Sequence, residues 1–246
     1  MRKHIPNALT LLNLGCGTVA LWLVLTGFGP MALYLLLGAA VLDFLDGFAA
    51  RMLRAQSELG KQLDSLADLV SFGLLPAAFA LKVLLFVFEA RHPGANPWGG
   101  AGGILLAAVL LTVPLCSALR LARFNVDGAK QKHFRGLPTP ANALFWAGMY
   151  GMVVSRGDLY GALPPVWIPG AFVLVMSVHL VLPLSMLSLK FTHFRLRGNI
   201  LRYLLVVMAA GLLPGFGWGG FPLLILGYMI LSMLALGHGH HRSETT

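Results

Sequence analysis

The sequence predicts an all-α fold, a polytopic bundle of about eight transmembrane helices with both termini in the cytoplasm. Three observations carry that expectation. The 246 residues are 57% hydrophobic and only 11% charged, with a mean hydropathy of +0.78. Soluble domains average about 25% charged residues, and a single soluble core at this chain length has no room for so much apolar surface. The apolar residues also gather into runs near the ~20 residues that a helix needs to cross a bilayer, where lipid gives the backbone no hydrogen-bonding partner. Finally, the basic residues alternate in density from one connection to the next.

Taken in order, the apolar runs cover residues 8–27, 30–52, 66–88, 101–121, 140–154, 165–187, 200–213 and 221–236. The first follows a basic start, MRKHIPN, with no small-residue cleavage site before a soluble stretch, so it reads as a retained span rather than a signal peptide. The second carries Asp43 and Asp46. The third contains Lys82, whose long stem lets its ammonium snorkel outward. A Gly- and Pro-rich connector over 89–103 leads into the fourth. The fifth and seventh runs are short. His179, in the sixth, reads as a packed, hydrogen-bonded histidine. Gly15, Gly17, Gly38 and Gly73 are expected at helix–helix contacts. Residues 1–237 form one membrane domain in this reading, followed by a polar tail over 238–246 that is expected to fray, its three histidines offering at most chance metal binding.

With the N-terminus inside, the cytoplasmic segments hold fifteen Lys and Arg, and the outer loops hold only Arg91 and Arg156. This bias fixes an even number of spans and places residues 51–61 at the cytoplasmic face. The net charge of +9 then reflects orientation and anionic lipid, and no nucleic-acid partner is expected. Cys16 and Cys116 lie inside apolar runs, without metal-ligand spacing or a disulfide framework. The chain has no internal repeat and no long linker.

Four aspartates, in a chain with only nine acidic residues, stand in one window, VLDFLDGFAARMLRAQSELGKQLDSLADLVSF. Asp43, Asp46, Gly47 and Ala50 recur at i, i+3, i+4 and i+7 and share one helix face. Small residues on that face let a ligand approach. Arg51 follows, then Gly60, then Asp64 and Asp68 at i and i+4 on the next helix. The short connection predicts antiparallel neighbouring helices, with all four carboxylates converging near the inner membrane surface. Such a group repels itself and needs a cation. Three readings satisfy that need: ion pairs with Arg51, Arg54 or Lys61; an ion or proton pathway; or a site for hard divalent metals, two of which a few ångströms apart suit phosphoryl chemistry.

The spacing reads Asp-x2-Asp-Gly-x2-Ala-Arg-x8-Gly-x3-Asp-x3-Asp. It resembles the signature of the CDP-alcohol phosphotransferases, with all eight defining positions present. The resemblance implies that Asp43 and Asp64 each touch two metal ions, Mg²⁺ or Mn²⁺, that Asp46 holds the first and Asp68 the second, and that Asp68 is the general base for the incoming alcohol. It further implies that Gly47, Ala50, Arg51, Ser57 and Gly60 contact the CDP moiety. Gly47 and Ala50 leave room for a flat base and ribose, and Arg51 can grip a phosphate in bidentate fashion. Asn7 and Thr10, with Asn13 entering the first span, lie where the family has polar contacts to this site; Asn7 could equally cap the first helix.

Three further stretches, ALRLARFNV, HFRGLPTPANA and LPLSMLSLKF, together with GKQLDSLADLVSFGLLPA, resemble the membrane-embedded phosphatidylserine synthase branch of that family. Arg120, Arg123, Asn125, Arg135 and Thr139 fall on the same membrane side as the aspartates. They are candidates for a serine pocket or for the diphosphate of the lipid donor. They also have plain readings: Arg120 and Arg123 as positive-inside anchors, Thr139 as a helix cap, and Pro138 and Pro140 as helix starters. Ser185, Ser188 and Lys190 belong to the third stretch. The resemblance implies transfer of the phosphatidyl group from CDP-diacylglycerol to L-serine, giving phosphatidylserine and CMP, by a homodimer in a prokaryotic cytoplasmic membrane, with its active site facing the cytoplasm. A sister enzyme using glycerol phosphate or inositol phosphate would also want the basic pocket. A transporter is the alternative from another class, but an ion pathway has no use for the Gly-x2-Ala-Arg segment.

Overall fold

The computed structural model describes residues 4–127, 136–155, 164–184, 186–187 and 199–240. Those residues are helical with short connections, and none of them forms a strand. The helices are α1 (His4–Thr26), α2 (Gly29–Met52), α3 (Glu58–Leu69), α4 (Leu75–Arg91), α5 (Gly100–Asp127), α6 (Thr139–Ser155), α7 (Trp167–Val181), α8 (Ile200–Phe216) and α9 (Gly220–His240). A π turn, Val70–Leu74, joins α3 to α4 in one continuous rod. Pro76 follows it and has no N–H to offer the preceding turn, a local cause for the wider winding.

Chain punctuation sets the ends of these helices. Gly27 has φ of +96°, a left-handed conformation that stops α1, and Pro30 stands in the first turn of α2. Ser57 caps α3 by accepting from the Gly60 amide at 3.0 Å, and Glu58 in the first turn complements the helix dipole. Pro140 stands in the first turn of α6, which begins at Thr139.

The buried residues of α1 are Pro6, Thr10, Asn13, Gly17, Ala20 and Val24. Their alternating spacing of four and three residues makes one stripe along the helix. The α2 stripe runs through Gly29, Ala32, Leu33, Leu36 and Ala39 and ends at Asp46. The seam between these helices is therefore apolar at one end and polar at the other. The main core lies beyond it, where Phe72, Leu75, Phe79, Phe145, Trp146 and Met176 pack together. Large apolar residues on the outer faces stay exposed, among them Trp22, Phe44, Ile104 at 74% and Val207. A belt of that kind faces lipid.

Each of the eight apolar runs falls mainly on a helical rod, although among the described residues of the sixth, 165–187, only Trp167–Val181 is helix. By length and composition, five stretches can cross a membrane: His4–Thr26, Gly29–Met52, Glu58–Arg91, Gly100–Val126 and Ile200–Leu234. The last takes in both α8 and α9, which fold back on each other. Gly227 faces Met208, and Gly220 faces the Leu212 carbonyl, an antiparallel register turned at Gly217 with φ of +56°. Helices α6 and α7 are shorter, with 17 and 15 residues.

Small residues govern the closest contacts. A Cβ added at Gly17 would stand 2.2 Å from Ser71 Oγ, and one at Gly73 would stand 3.2 Å from Ser117 Cβ. Gly15 and Gly38 differ from the expectation, since nothing lies within 4 Å of a Cβ at either. Gly15 is on the exposed side of α1, two residues from the packed stripe. Lys82 reaches back to the Leu25 carbonyl at the end of α1, at 3.5 Å. His179 is partly exposed and is hydrogen-bonded through Nδ1 to the Val175 carbonyl one turn earlier in α7, at 2.8 Å. Helix α9 continues to His240, so the stretch expected to be a polar tail begins as helix.

Candidate active site

The acidic window folds into the last turns of α2, a short connection and α3. Carboxylate oxygens of Asp43, Asp64 and Asp68 all lie within 4.8 Å of one another. The Asp43 and Asp68 carboxyl groups are close enough to hydrogen-bond. Asp68 Oδ1 is buried with no hydrogen-bond partner. A carboxylate offers only acceptors, so three of them at this separation leave lone pairs that a cation alone can satisfy together. Hard oxygen donors of this kind suit a divalent metal ion. The residues therefore fit the metal that their spacing led us to expect.

Two features differ from that expectation. Helices α2 and α3 do not pack along each other; α1 packs against both and holds them apart. The gap left between them is where the carboxylates meet. Asp46 also stands outside the tight triad. It ends the buried stripe of α2, is 5% exposed, and has Oδ2 at 2.6 Å from the Thr10 hydroxyl. That hydroxyl also lies 3.0 Å from the Pro6 carbonyl, so α1 fixes the orientation of Asp46.

Beside the triad opens a cleft of about 540 Å³, within the usual range for a small-molecule site. Pro6, Asn7 and Thr10 line it from α1, and Asp46, Gly47 and Ala50 from α2. Ala55, Gln56, Ser57, Glu58, Gly60, Lys61 and Asp64 complete it from the connection and α3. The cleft thus gathers most of the residues singled out in the sequence: Asn7, Thr10, Gly47, Ala50, Ser57 and Gly60, together with two of the aspartates. Asn7 lies within α1, and its Oδ1 would come 3.1 Å from a Cβ at Gly60. It faces the cleft and does not serve as the helix cap. Arg51 is exposed at the end of α2 and folds back so that Nη1 would lie 3.5 Å from a Cβ at Gly47. Sequence reasoning missed Pro6, Ala55, Gln56 and Glu58 as wall residues and took Lys61 only as a counter-charge. Pro6 precedes the motif and enters from α1; the others fall between the motif positions, where the 53–57 connection, with Arg54 at φ of +50°, brings them round.

The basic candidates separate. Asn125 donates to Ser65 Oγ at 2.7 Å, and its carbonyl accepts from Lys61 Nζ, so this residue staples α5 to α3 at the edge of the cleft. Arg123 donates to the Val181 carbonyl at 3.2 Å, at the C-terminal end of α7, where a cation is favoured. Arg120 donates to Thr139 Oγ1 at 3.3 Å and lies within the field of Asp68. Thr139 is thereby an acceptor for a guanidinium at the first residue of α6. Arg135, Ser185, Ser188 and Lys190 lie outside the described residues.

Comparison with known proteins gives one consistent answer. Residues 3–183 match the CDP-alcohol phosphatidyltransferase family. The chain is 36% identical over 153 residues to the CDP-diacylglycerol--serine O-phosphatidyltransferase of Bacillus subtilis, covering 62% of this chain and 76% of that protein. It is 33% identical over 183 residues to the protein of the same name from Mycobacterium tuberculosis, covering 70% of this chain and 59% of the relative. It is also 33% identical over 148 residues to the archaetidylserine synthase of Methanothermobacter thermautotrophicus, covering 59% of this chain and 57% of the relative. The matched stretch thus spans three fifths or less of the mycobacterial and archaeal proteins.

Proposed function

Because the chain belongs to the CDP-alcohol phosphatidyltransferase family, we propose that it transfers the phosphatidyl group of CDP-diacylglycerol to L-serine, releasing phosphatidylserine and CMP. The observation that carries this reading is the carboxylate triad at the head of a nucleotide-sized cleft in an integral membrane protein. The serine synthase names of the relatives from Bacillus and Mycobacterium support the acceptor.

In this reading Asp43, Asp46, Asp64 and Asp68 hold two divalent cations, Mg²⁺ or Mn²⁺. When bound, they neutralise the diphosphate, polarise the phosphorus under attack and stabilise the departing CMP. Gly47, Ala50 and Gly60 leave space for the cytidine and ribose, with Asn7, Thr10 and Ser57 supplying polar contacts. Arg51 reaches over Gly47 toward a phosphate. Asp68 takes the proton from the serine hydroxyl as it attacks the β-phosphorus. The acyl chains stay in the bilayer. Residues 1–237 act as one membrane domain with the cleft open to the cytoplasm of a prokaryotic cell, and the protein works as a homodimer.

The test offers labelled CDP-diacylglycerol and Mg²⁺ to purified protein with serine, glycerol phosphate, inositol phosphate or inositol, and follows CMP. Serine-dependent CMP release that EDTA stops and Mg²⁺ or Mn²⁺ restores is the expected result. Release with glycerol phosphate or inositol phosphate instead assigns a sister activity. Solute flux in liposomes without any CMP would point to a transporter.

A further inference from the structure

Beside Asp68, on the side occupied by Arg120, the interior is polar in a way that the nucleotide cleft does not use. Arg120 binds Thr139 through Nη1, but its Nε is buried without a partner. Asn142 lies one turn along α6 from Thr139, on the same face. It is 0% exposed, and neither its amide nitrogen nor its oxygen has a partner. An unpaired buried polar group is costly, so these two side chains call for a ligand with both an acceptor and a donor.

A third group reaches the same place from α9. Tyr228 is 5% exposed; its hydroxyl donates to the Leu187 carbonyl at 3.0 Å, and its oxygen lies within hydrogen-bonding reach of the Ser232 side chain. It lies within the field of Arg120. Ser232, one turn further on, accepts from the Leu187 amide at 3.3 Å. The hairpin is pressed onto α6 at two glycines: a Cβ at Gly148 would stand 2.3 Å from Pro222, and one at Gly151 would stand 2.4 Å from Trp218. Tyr228 is therefore held in place by close packing.

We propose that α9, which lies beyond the matched stretch 3–183, completes the acceptor site: Tyr228, Arg120 and Asn142 form a buried polar recess beside Asp68 that holds the charged end of a small zwitterionic amino alcohol. The inference rests on the function proposed above and extends it to Tyr228, which lies outside both the motif and the family match. Arg120 faces the acceptor carboxylate, and the Asn142 and Tyr228 oxygens face its ammonium. The hydroxyl is thereby aimed at Asp68. Acceptor choice is thus set by the C-terminal hairpin, while donor binding is set by α1, α2 and α3.

The test compares Tyr228→Phe and Asn142→Leu with the full-length wild type in detergent, with Mg²⁺ and CDP-diacylglycerol. Steady-state CMP release gives the KM for serine and for the lipid, and thermal melts with and without serine give a second readout. We expect the KM for serine to rise about tenfold or more in each variant, with the KM for the lipid and the serine-free Tm unchanged, and the serine-induced Tm shift to shrink. Tyr228→Phe keeps the ring and its packing, so it remains informative if Asn142→Leu fails to fold. A wild type active with serine and a Tyr228→Phe variant with unchanged KM for serine would overturn this inference alone. A fall in Tm with both KM values moving together would also overturn it, in favour of a structural role. A wild type that uses only glycerol phosphate or another acceptor would overturn the functional reading and this inference with it.

Discussion

Asp68 has one buried oxygen without a donor and two carboxylates within 4.8 Å. Each of these weakens the metal-free fold and serves a metal-loaded one. Asp68→Asn removes a negative charge while keeping the shape. In EDTA the variant should melt at or above the wild-type temperature, because repulsion in the triad is relieved. Added Mn²⁺ should raise its Tm less than that of the wild type, because linkage to a bound ion is weaker. Turnover should fall by about 10² to 10⁴, the range for a lost general base, with binding of the CDP-lipid largely kept. Full activity in Asp68→Asn would remove it from the proposed base role. At this scale the motif was legible, since carboxylates at helical spacing are visible in a one-dimensional chain. The bond from Thr10 to Asp46 was not, because a hydroxyl 36 residues away gives no local signal of its partner.

Helices α1, α2 and α3 form the unit that makes the site, and α1 is its middle member. Position on a helix face decides what each glycine does. Gly17→Ala would drive a methyl to 2.2 Å from Ser71 Oγ and 2.9 Å from Ser71 Cα, which is backbone at the π turn. It should cost about 1–3 kcal/mol as an overpacked contact and lower activity by shifting α3. Gly15→Ala meets open space and should be neutral or gain up to about 1 kcal/mol from helix propensity. Melting curves in detergent check the pair, and equal effects at both positions would contradict the packing assigned to α1. The sequence alone could not separate these glycines, because apolar residues cover every face of a lipid-exposed helix and hide its inner stripe. For the same reason, helix neighbours were harder to read than helices. A short connection between α2 and α3 suggested direct packing, yet α1 stands against both. What was legible was the existence of each rod, since a run of ~20 apolar residues is a strong signal.

The whole molecule divides its work along the chain. The N-terminal helices hold the triad and the cleft beside it. Helix α5 brings Arg120 near Asp68 and onto Thr139 of α6, and the C-terminal hairpin docks on α6 through Gly148 and Gly151. Apolar outer faces keep the assembly in lipid, so the tails of a lipid donor need not leave the membrane while its headgroup reacts. The central claim is that divalent cations occupy the space among Asp43, Asp64 and Asp68. Anomalous diffraction from crystals grown with Mn²⁺ tests it most directly. The account predicts manganese peaks bridging those three carboxylates, with Asp46 beside them at the mouth of the cleft. Well-ordered carboxylates with no peak between them, or manganese bound only elsewhere, would contradict it.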